Sequence, residues 1–121
     1  IATIRRDARD YAGAIIALGK ALTKENTELN AQLQYEIAEC YEANGELAKA
    51  VEAYLAVPYL YTRGTFWGVR AQLKCAQLFE RMERFDDAKK LYEKLAGMDI
   101  EESSFAGQRL EWLRWRDQKQ Q

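Results

Sequence analysis

The segment from Tyr35 to Val57 recurs 38 residues downstream in the same chain. In its first half, small or apolar residues lie at offsets i, i+1 and i+4, which form one face of an α-helix, and a second such face follows a break at Asn44-Gly45. The matching positions are Ile37, Ala38, Tyr41, Leu47, Ala50, Tyr54 and Val57 in the first copy and Cys75, Ala76, Phe79, Phe85, Ala88, Tyr92 and Leu95 in the second. Because a single helix pair cannot bury its apolar face alone, this repeat predicts an all-α solenoid of stacked, antiparallel helix pairs.

The repeat also predicts how the chain is divided. Tyr11, Ala14, Leu18 and Ala21 match the second helix of the unit at an offset of 36 residues, so residues 3–23 are expected to form one helix of an incomplete repeat. We expect one domain over 1–121, cut from a longer protein and containing about six helices. Its parts are the incomplete repeat (1–24), a complete repeat (28–61), a second repeat (66–98) and a C-terminal capping helix (103–118).

Local signals set the predicted helix ends. Asn26 or Thr27 can cap the next helix with a side-chain oxygen, and Gly45 can adopt the positive φ angle that closes a helix. Pro58 should kink or end the helix that begins near Glu46. In the second copy the turn falls at Glu83-Arg84, where no glycine is present.

These features resemble the tetratricopeptide repeat family, whose helix-turn-helix unit is about 34 residues long. The resemblance covers roughly residues 5–100. It rests on the small residues Ala38, Ala50, Ala76 and Ala88, the aromatic residues Tyr41, Tyr54, Phe79 and Tyr92, and the turn residue Gly45. The chain departs from the family in four ways. Gln34 and Gln72 replace a bulky residue, and Glu83 replaces the turn glycine. Thr62 and Ile100 replace the closing proline, and the repeat period is longer.

The longer period and the junction YLAVPYLYT are similar to divergent repeats of bacterial envelope proteins, namely Tol–Pal-associated and outer-membrane assembly proteins. That narrower resemblance implies a periplasmic or envelope-associated location, and a cytoplasmic location stays open. The sequence shows no signal segment and no apolar run long enough to cross a bilayer, so no direct membrane insertion is expected.

The composition argues against an enzyme. The chain has no histidine, which removes the commonest general base, the usual Ser-His and Cys-His nucleophile pairs and most transition-metal sites. No phosphate-binding glycine loop follows a strand, so we expect no catalytic residue, no cofactor and no metal. Cys40 and Cys75 are either buried thiols or partners in a bridge between stacked helices.

Solenoids of this kind offer a groove lined by the first helix of each repeat. By helical phase, the groove face carries Gln32, Tyr35, Glu36, Glu39 and Glu42 in one copy and Arg70, Leu73, Lys74, Gln77 and Arg81 in the other. The first hypothesis is therefore a non-catalytic scaffold that binds a protein or peptide segment, with the basic residues meeting carboxylates and Tyr35 and Leu73 giving apolar contacts. The alternative is an ordinary charged face with weak ion pairs between helices.

A cluster of aromatic residues follows the first complete repeat. Tyr59, Tyr61, Phe66 and Trp67 bracket the loop Thr62-Arg63-Gly64-Thr65. They either fill the gap between repeats or form an aromatic ridge that binds a partner.

Two further functions have sequence support. The unpartnered first helix, with Phe66, Trp67, Trp112 and Trp115, favours a self-assembly module that forms homo-oligomers. Basic and aromatic residues interleave at Arg109, Trp112, Arg114, Trp115 and Arg116, a pattern found in single-strand nucleic-acid binders. With a net charge of −1 the chain has no general attraction for nucleic acid, and we expect no nucleic-acid partner.

Overall fold

The computed structural model describes residues 10–98 and 100–119, and these residues form six α-helices and no strand. The helices are α1 (Tyr11–Ala21), α2 (Glu28–Ala43), α3 (Leu47–Leu60), α4 (Thr65–Arg81), α5 (Phe85–Ala96) and α6 (Ser103–Lys119). The all-α class predicted from the repeat is confirmed.

Two helix starts are fixed by side-chain caps. Thr27 caps α2, because its hydroxyl oxygen accepts a hydrogen bond from the Asn30 amide at 3.1 Å. Asp10 caps α1 by accepting from the Gly13 amide at 3.0 Å. The prediction of one continuous helix over 3–23 is therefore wrong at Asp10, which has non-helical backbone angles; the residues before Asp10 lie outside the described part of the chain.

Pro58 lies inside α3 and does not end it. The helix runs two residues further, to Leu60, and the Tyr61 amide closes the last turn by donating to the Val57 carbonyl at 3.0 Å. Pro58 has no backbone N–H and so removes one hydrogen bond from α3. Because this loss falls near the end of the helix, it is tolerated. Tyr59 and Leu60 are consequently helical, and the loop before α4 comprises residues 61–64.

The turns that end α2 and α4 have the same geometry. Gly45 has φ of 79° and Glu83 has φ of 58°. In each turn this residue donates to the carbonyl three residues back, and the next residue donates to the carbonyl five residues back, which is the Schellman arrangement. The repeat of 38 residues therefore extends to the backbone conformation of the turns, even though a glutamate replaces the glycine.

Contacts between residues divide the chain into two compact units, one ending at Ala71 and the other beginning at Gln72, within α4. In the first unit α2 packs against both α1 and α3, and in the second α5 packs against α6. The core of the first unit contains Ala14, Leu18, Ala31, Tyr35, Ile37, Ala38, Cys40, Ala50, Val51, Tyr54, Val57 and Tyr61. The core of the second contains Cys75, Ala76, Leu78, Phe79, Ala88, Tyr92, Leu95, Ala106, Leu110 and Leu113.

The single domain predicted over 1–121 stays a prediction. The buried side of α6 carries Ala106, Leu110 and Leu113. The thiols of Cys40 and Cys75 are buried and are not joined by a disulfide, in agreement with the first of the two alternatives.

Candidate interaction surfaces

Each complete repeat contains a buried tyrosine that bonds a glutamate of the preceding helix. Tyr54 on α3 donates its hydroxyl to Glu42 on α2 at 2.7 Å, and Tyr92 on α5 donates to Glu80 on α4 at 2.5 Å. Both tyrosines are fully buried. Burial, reinforced by the bonded glutamate, raises the pKa of both hydroxyls well above the ordinary tyrosine value.

The bond from Tyr54 gives Glu42 a partner within its own repeat. Glu42 is one of the residues predicted for the partner-binding groove, and its carboxylate is directed towards the second helix of its own repeat; its part in a groove stays a prediction. The signal that could have revealed this is the 38-residue offset, since Glu42 matches Glu80 and Tyr54 matches Tyr92. A glutamate kept in both copies, opposite a tyrosine kept in both copies, is typical of a structural contact.

Arg70 is the centre of an aromatic cluster in the first unit. Its guanidinium carbon lies 5.3 Å from the ring centre of Phe66 and 5.9 Å from those of Tyr35 and Trp67. The rings also touch one another, with centres 5.2 Å apart for Tyr35 and Trp67 and 5.1 Å apart for Phe66 and Trp67. Cations over aromatic faces are stabilised by the ring quadrupole, so these rings hold the exposed side chain of Arg70 in place.

Tyr35 is buried, which corrects its assignment as an open apolar contact. Only 3% of its surface is exposed, and its ring packs edge-on against Tyr54 with centres 5.4 Å apart. Burial raises the pKa of its hydroxyl. Helical phase placed Tyr35 on the outer face of α2, but the first turn of α4 covers that position with Trp67.

The aromatic ridge is divided between exposed and buried residues. Tyr59 is 82% exposed and Phe66 is also exposed, whereas Trp67 is half-buried. Tyr61 is buried and donates its hydroxyl to the Thr23 carbonyl at 2.9 Å, so its assignment to a partner-binding ridge is corrected. Tyr61 and Trp67 fill space within the unit, and Tyr59 and Phe66 remain on its surface.

The remaining groove residues lie at or near the surface of their own units. Gln32 and Glu39 in the first unit are half-buried, as are Leu73, Lys74 and Gln77 in the second, and Arg81 is exposed. A single groove that joins these residues stays a prediction.

The last helix, α6, presents aromatic residues to solvent. Phe105, Trp112 and Trp115 are exposed on it. Arg109 bonds Glu80 through its guanidinium, which raises its pKa, and Arg114 lies 3.8 Å from the carboxylate of Glu93.

These contacts bear on the nucleic-acid hypothesis. Arg109 and Arg114 are paired with carboxylates, and Arg116 lies over the ring of Phe85 with 3.8 Å to its centre. The arginines are therefore engaged within the second unit, which weakens the case for a phosphate-binding patch.

Residues 10–98 and 100–119 contain neither a candidate metal site nor a candidate membrane span. No group of three His, Cys, Asp or Glu residues in these ranges could hold a metal ion. No helix there combines the length and the apolar character that crossing a bilayer requires.

The family model described as "Soluble NSF attachment protein, SNAP" matches residues 6–108. No curated protein and no solved structure matches the chain. The matched family has a helical, tetratricopeptide-like solenoid fold, which confirms the predicted fold class and supports the helical repeats, but it does not support the narrower resemblance to bacterial envelope proteins.

Proposed function

The chain belongs to the soluble NSF attachment protein (SNAP) family, and on this basis we propose that it is a non-catalytic scaffold that binds a segment of another protein. The family name describes attachment to a protein partner, NSF, and its members act in general as helical adaptors. Protein binding by this chain fits that general role, and the partner is defined here by its chemistry alone.

The observation that carries the proposal is the aromatic cluster around Arg70. Three rings lie around the guanidinium of Arg70, which is an exposed residue of the first unit. A cation that is already ordered loses little conformational entropy when it meets a carboxylate, and arginine can bond a carboxylate with two N–H groups. Arg70 is therefore suited to anchor an acidic residue of a partner.

The rest of the binding surface follows from the repeat. Lys74 and Arg81, in the second unit, are the basic residues that helical phase assigns together with Arg70 to the predicted groove. Leu73 adds a half-buried apolar contact. We propose that these residues bind a peptide or protein segment that carries both carboxylates and apolar side chains.

Charge reversal tests this proposal. The chain with Arg70, Lys74 and Arg81 all changed to Glu is used as bait beside the wild type, and bound proteins are quantified by mass spectrometry. A matched control changes Lys20, Lys90 and Lys94 to Glu, since these lysines are exposed and the change in net charge is the same. We expect partners held by the wild type and the control to be lost from the first variant; a partner set that is unchanged in all three would refute the proposed surface.

Location is a separate proposal. The proposal of an envelope-associated location rests only on the long repeat period and the YLAVPYLYT junction. Fractionation of cells that express the tagged protein tests it, and recovery in the cytoplasm alone would contradict it.

A further inference from the structure

The turn between α2 and α3 contains an Asn-Gly pair, Asn44-Gly45, which occurs once in the sequence. Both residues are exposed. In such a pair the backbone nitrogen of the glycine can attack the side-chain carbonyl carbon of the asparagine, because glycine has no side chain to hinder the approach and adopts most backbone conformations. The pair is therefore a candidate site for deamidation, a covalent change of the labile asparagine that requires no enzyme and no cofactor.

Deamidation of Asn44 proceeds through a ring. The Gly45 nitrogen gives up its proton and bonds to Cγ of Asn44, while the Cγ–Nδ2 bond breaks and the side-chain nitrogen leaves as ammonia. The product is a five-membered succinimide, and water then opens it. Cleavage between the ring nitrogen and Cγ gives aspartate, and cleavage between the ring nitrogen and the main-chain carbonyl carbon gives isoaspartate, in which the chain runs through the side chain. The net reaction consumes one water and releases one ammonia, so no oxidant or reductant is involved.

The folded turn keeps the reacting atoms apart. Asn44 has ψ of 3°, so the Gly45 nitrogen lies beside the Asn44 nitrogen and must rotate about the Cα–C bond to reach the side-chain carbon. The Gly45 N–H also donates to the Glu42 carbonyl at 3.0 Å, and the Asn44 side-chain amide donates to the Glu46 carboxylate at 3.1 Å. Formation of the ring therefore requires the loss of both hydrogen bonds and a change in the backbone.

The turn is tied to the helices on both sides of it. The Glu46 amide donates to the Tyr41 carbonyl at 2.9 Å, which completes the Schellman arrangement. The Tyr54 hydroxyl donates to Glu42 at 2.7 Å and so joins the last turn of α2 to α3. An opening that frees the Gly45 nitrogen must therefore loosen the end of α2, and the free energy of this opening sets how often Asn44 can react.

The rest of the chain supplies internal references for this reaction. The sequence has two other asparagines, Asn26 and Asn30, which are followed by Thr27 and Ala31. A side chain on the following residue hinders attack by its nitrogen, so both should react more slowly than Asn44 even in the unfolded chain. The matching turn of the second repeat contains no asparagine, so the reaction is specific to the first repeat.

We propose that Asn44 is a deamidation site whose reaction is controlled by opening of the α2–α3 turn, and that the product weakens this turn. Aspartate in place of Asn44 puts a second carboxylate beside Glu46, at the C-terminal end of α2, where the helix dipole disfavours negative charge. Isoaspartate adds a carbon to the main chain before Gly45, so the amides of Gly45 and Glu46 cannot both keep their turn bonds. Because neither product reverts to asparagine, copies with a loosened helix pair accumulate as the protein ages.

The reaction is measured on the 121-residue chain, incubated folded in buffer at pH 8 and 37 °C and, in parallel, unfolded in concentrated urea. Samples are digested briefly with trypsin at mildly acidic pH, which slows further deamidation. One tryptic peptide, residues 25–49, holds all three asparagines, and fragmentation in the mass spectrometer assigns each modified one. We expect Asn44 to react first in urea and at least about tenfold more slowly in the folded chain. Equal rates at Asn44 in the two conditions would overturn control by the turn.

Tyr54→Phe tests whether opening of this turn controls the rate. It removes the bond to Glu42 without changing the Asn-Gly pair, so the rate in the folded chain should rise several-fold while the rate in urea stays that of the wild type. Tyr92→Phe is the matched control, since it removes the equivalent bond to Glu80 in the second unit and should leave the folded rate at Asn44 unchanged. Circular dichroism establishes that both variants are folded, and Glu42→Gln, which weakens the same bond by removing its charge, replaces Tyr54→Phe if that variant is not. Equal increases in the two tyrosine variants, or none in Tyr54→Phe, would overturn local control by this turn.

Gly45→Ala tests the chemistry itself. In urea its methyl group hinders attack by the backbone nitrogen, so the rate at Asn44 should fall several-fold. The ring also predicts a mixture of aspartate and isoaspartate in the wild type, which have the same mass and are separated by chromatography of the peptide. A Gly45→Ala rate in urea that equals the wild type, with aspartate as the sole product, would show direct hydrolysis of the side-chain amide by water and would overturn the ring mechanism.

The last measurement concerns the effect of the product on the turn. After incubation in urea and refolding, anion exchange separates modified from unmodified protein, and urea unfolding compares the two. We expect a lower midpoint for the modified protein and an intermediate midpoint for Asn44→Asp, which has the added carboxylate but a normal main chain. A modified protein as stable as the unmodified one would refute the proposed weakening of the turn.

Discussion

Replacing Glu83 by glycine should stabilise the protein. Glu83 has φ of 58°, in the left-handed region, and occupies the position that Gly45 occupies at φ of 79° in the first repeat. A residue with a Cβ atom adopts this conformation at a cost of about 1–2 kcal/mol. Glycine relieves that strain, but its greater freedom in the unfolded chain opposes folding by roughly 0.5–1 kcal/mol. The difference predicts a gain of about 0.5–1 kcal/mol in the free energy of unfolding for Glu83→Gly.

The reverse change at Gly45 should have the opposite sign. A Cβ atom at Gly45 would meet no atom within 4 Å, so Gly45→Ala introduces left-handed strain without a steric clash. We expect a loss of about 0.5–1 kcal/mol. Since the turn hydrogen bonds are the same in both repeats, the two variants should mirror one another.

Urea unfolding at 25 °C, followed by circular dichroism and tryptophan fluorescence, measures both effects. For a typical dependence on urea concentration, the midpoint should move by about 0.5 M upwards for Glu83→Gly and downwards for Gly45→Ala. Glu83→Ala is the control, because it removes the carboxylate but keeps the strain, and its midpoint should stay near that of the wild type. If Glu83→Ala were as stabilising as Glu83→Gly, the charge and not the backbone conformation would explain the gain, and the reasoning would fail.

Two other predictions concern close packing and pH. Gly64→Ala should lower stability by about 1–3 kcal/mol, because its new Cβ atom would overlap the Cβ atom of Ala31. Gly107→Ala in α6 should raise stability by about 0.5–1 kcal/mol, because its Cβ atom would meet no atom within 4 Å. Thermal unfolding that ranks the two variants the other way would contradict this. Tyr54→Phe should cost about 1.5–3 kcal/mol at pH 7, because it removes the bond to the Glu42 carboxylate. The pKa of the Tyr54 hydroxyl is raised in the folded state, which keeps this group neutral. The contribution of Tyr54 to the free energy of unfolding is therefore complete below the ordinary tyrosine pKa of about 10. Above that pH it falls by about 1.4 kcal/mol for each pH unit. The stability difference between wild type and Tyr54→Phe, from urea unfolding at pH 8 and pH 11, should therefore shrink with rising pH, and a constant difference would refute the assignment.

The fold could be predicted because the same helix-pair pattern occurs in two copies of the repeat. Small and aromatic residues at a constant offset identify helix pairs, and the structure places Ala38, Ala76, Tyr54 and Tyr92 in the cores of their units. Helix ends were predicted within a few residues wherever a local signal exists, as at Thr27. Of the two outcomes predicted at Pro58, a kink or a helix end, the helix end is contradicted, because a proline in the last turn of a helix removes only one hydrogen bond near the end.

The candidate site was harder to predict because helical phase describes one helix at a time. Tyr35 lies opposite the packed stripe of α2, and nothing in α2 itself indicates that Trp67 covers it. Tyr61 resembles its exposed neighbour Tyr59 in sequence, and it is buried because its hydroxyl reaches the Thr23 carbonyl, 38 residues away along the chain. Both errors concern contacts between elements distant in sequence, where local periodicity carries no information.

The repeat itself separates positions that make the same contact in both copies from positions whose chemistry varies. A glutamate that receives a bond from a buried tyrosine is present at Glu42 and again at Glu80, so this position has the same task in both copies. A different position of the first helices carries Glu36, Lys74 and Trp112 in turn. A position whose chemistry changes from acidic to basic to aromatic cannot serve one structural contact, because each type requires a different neighbour. The variation on this face therefore indicates a separate contact for each of the three residues. If the proposed protein partner binds here, Trp112, the most costly of the three to leave in water, is the one that should lose most solvent exposure.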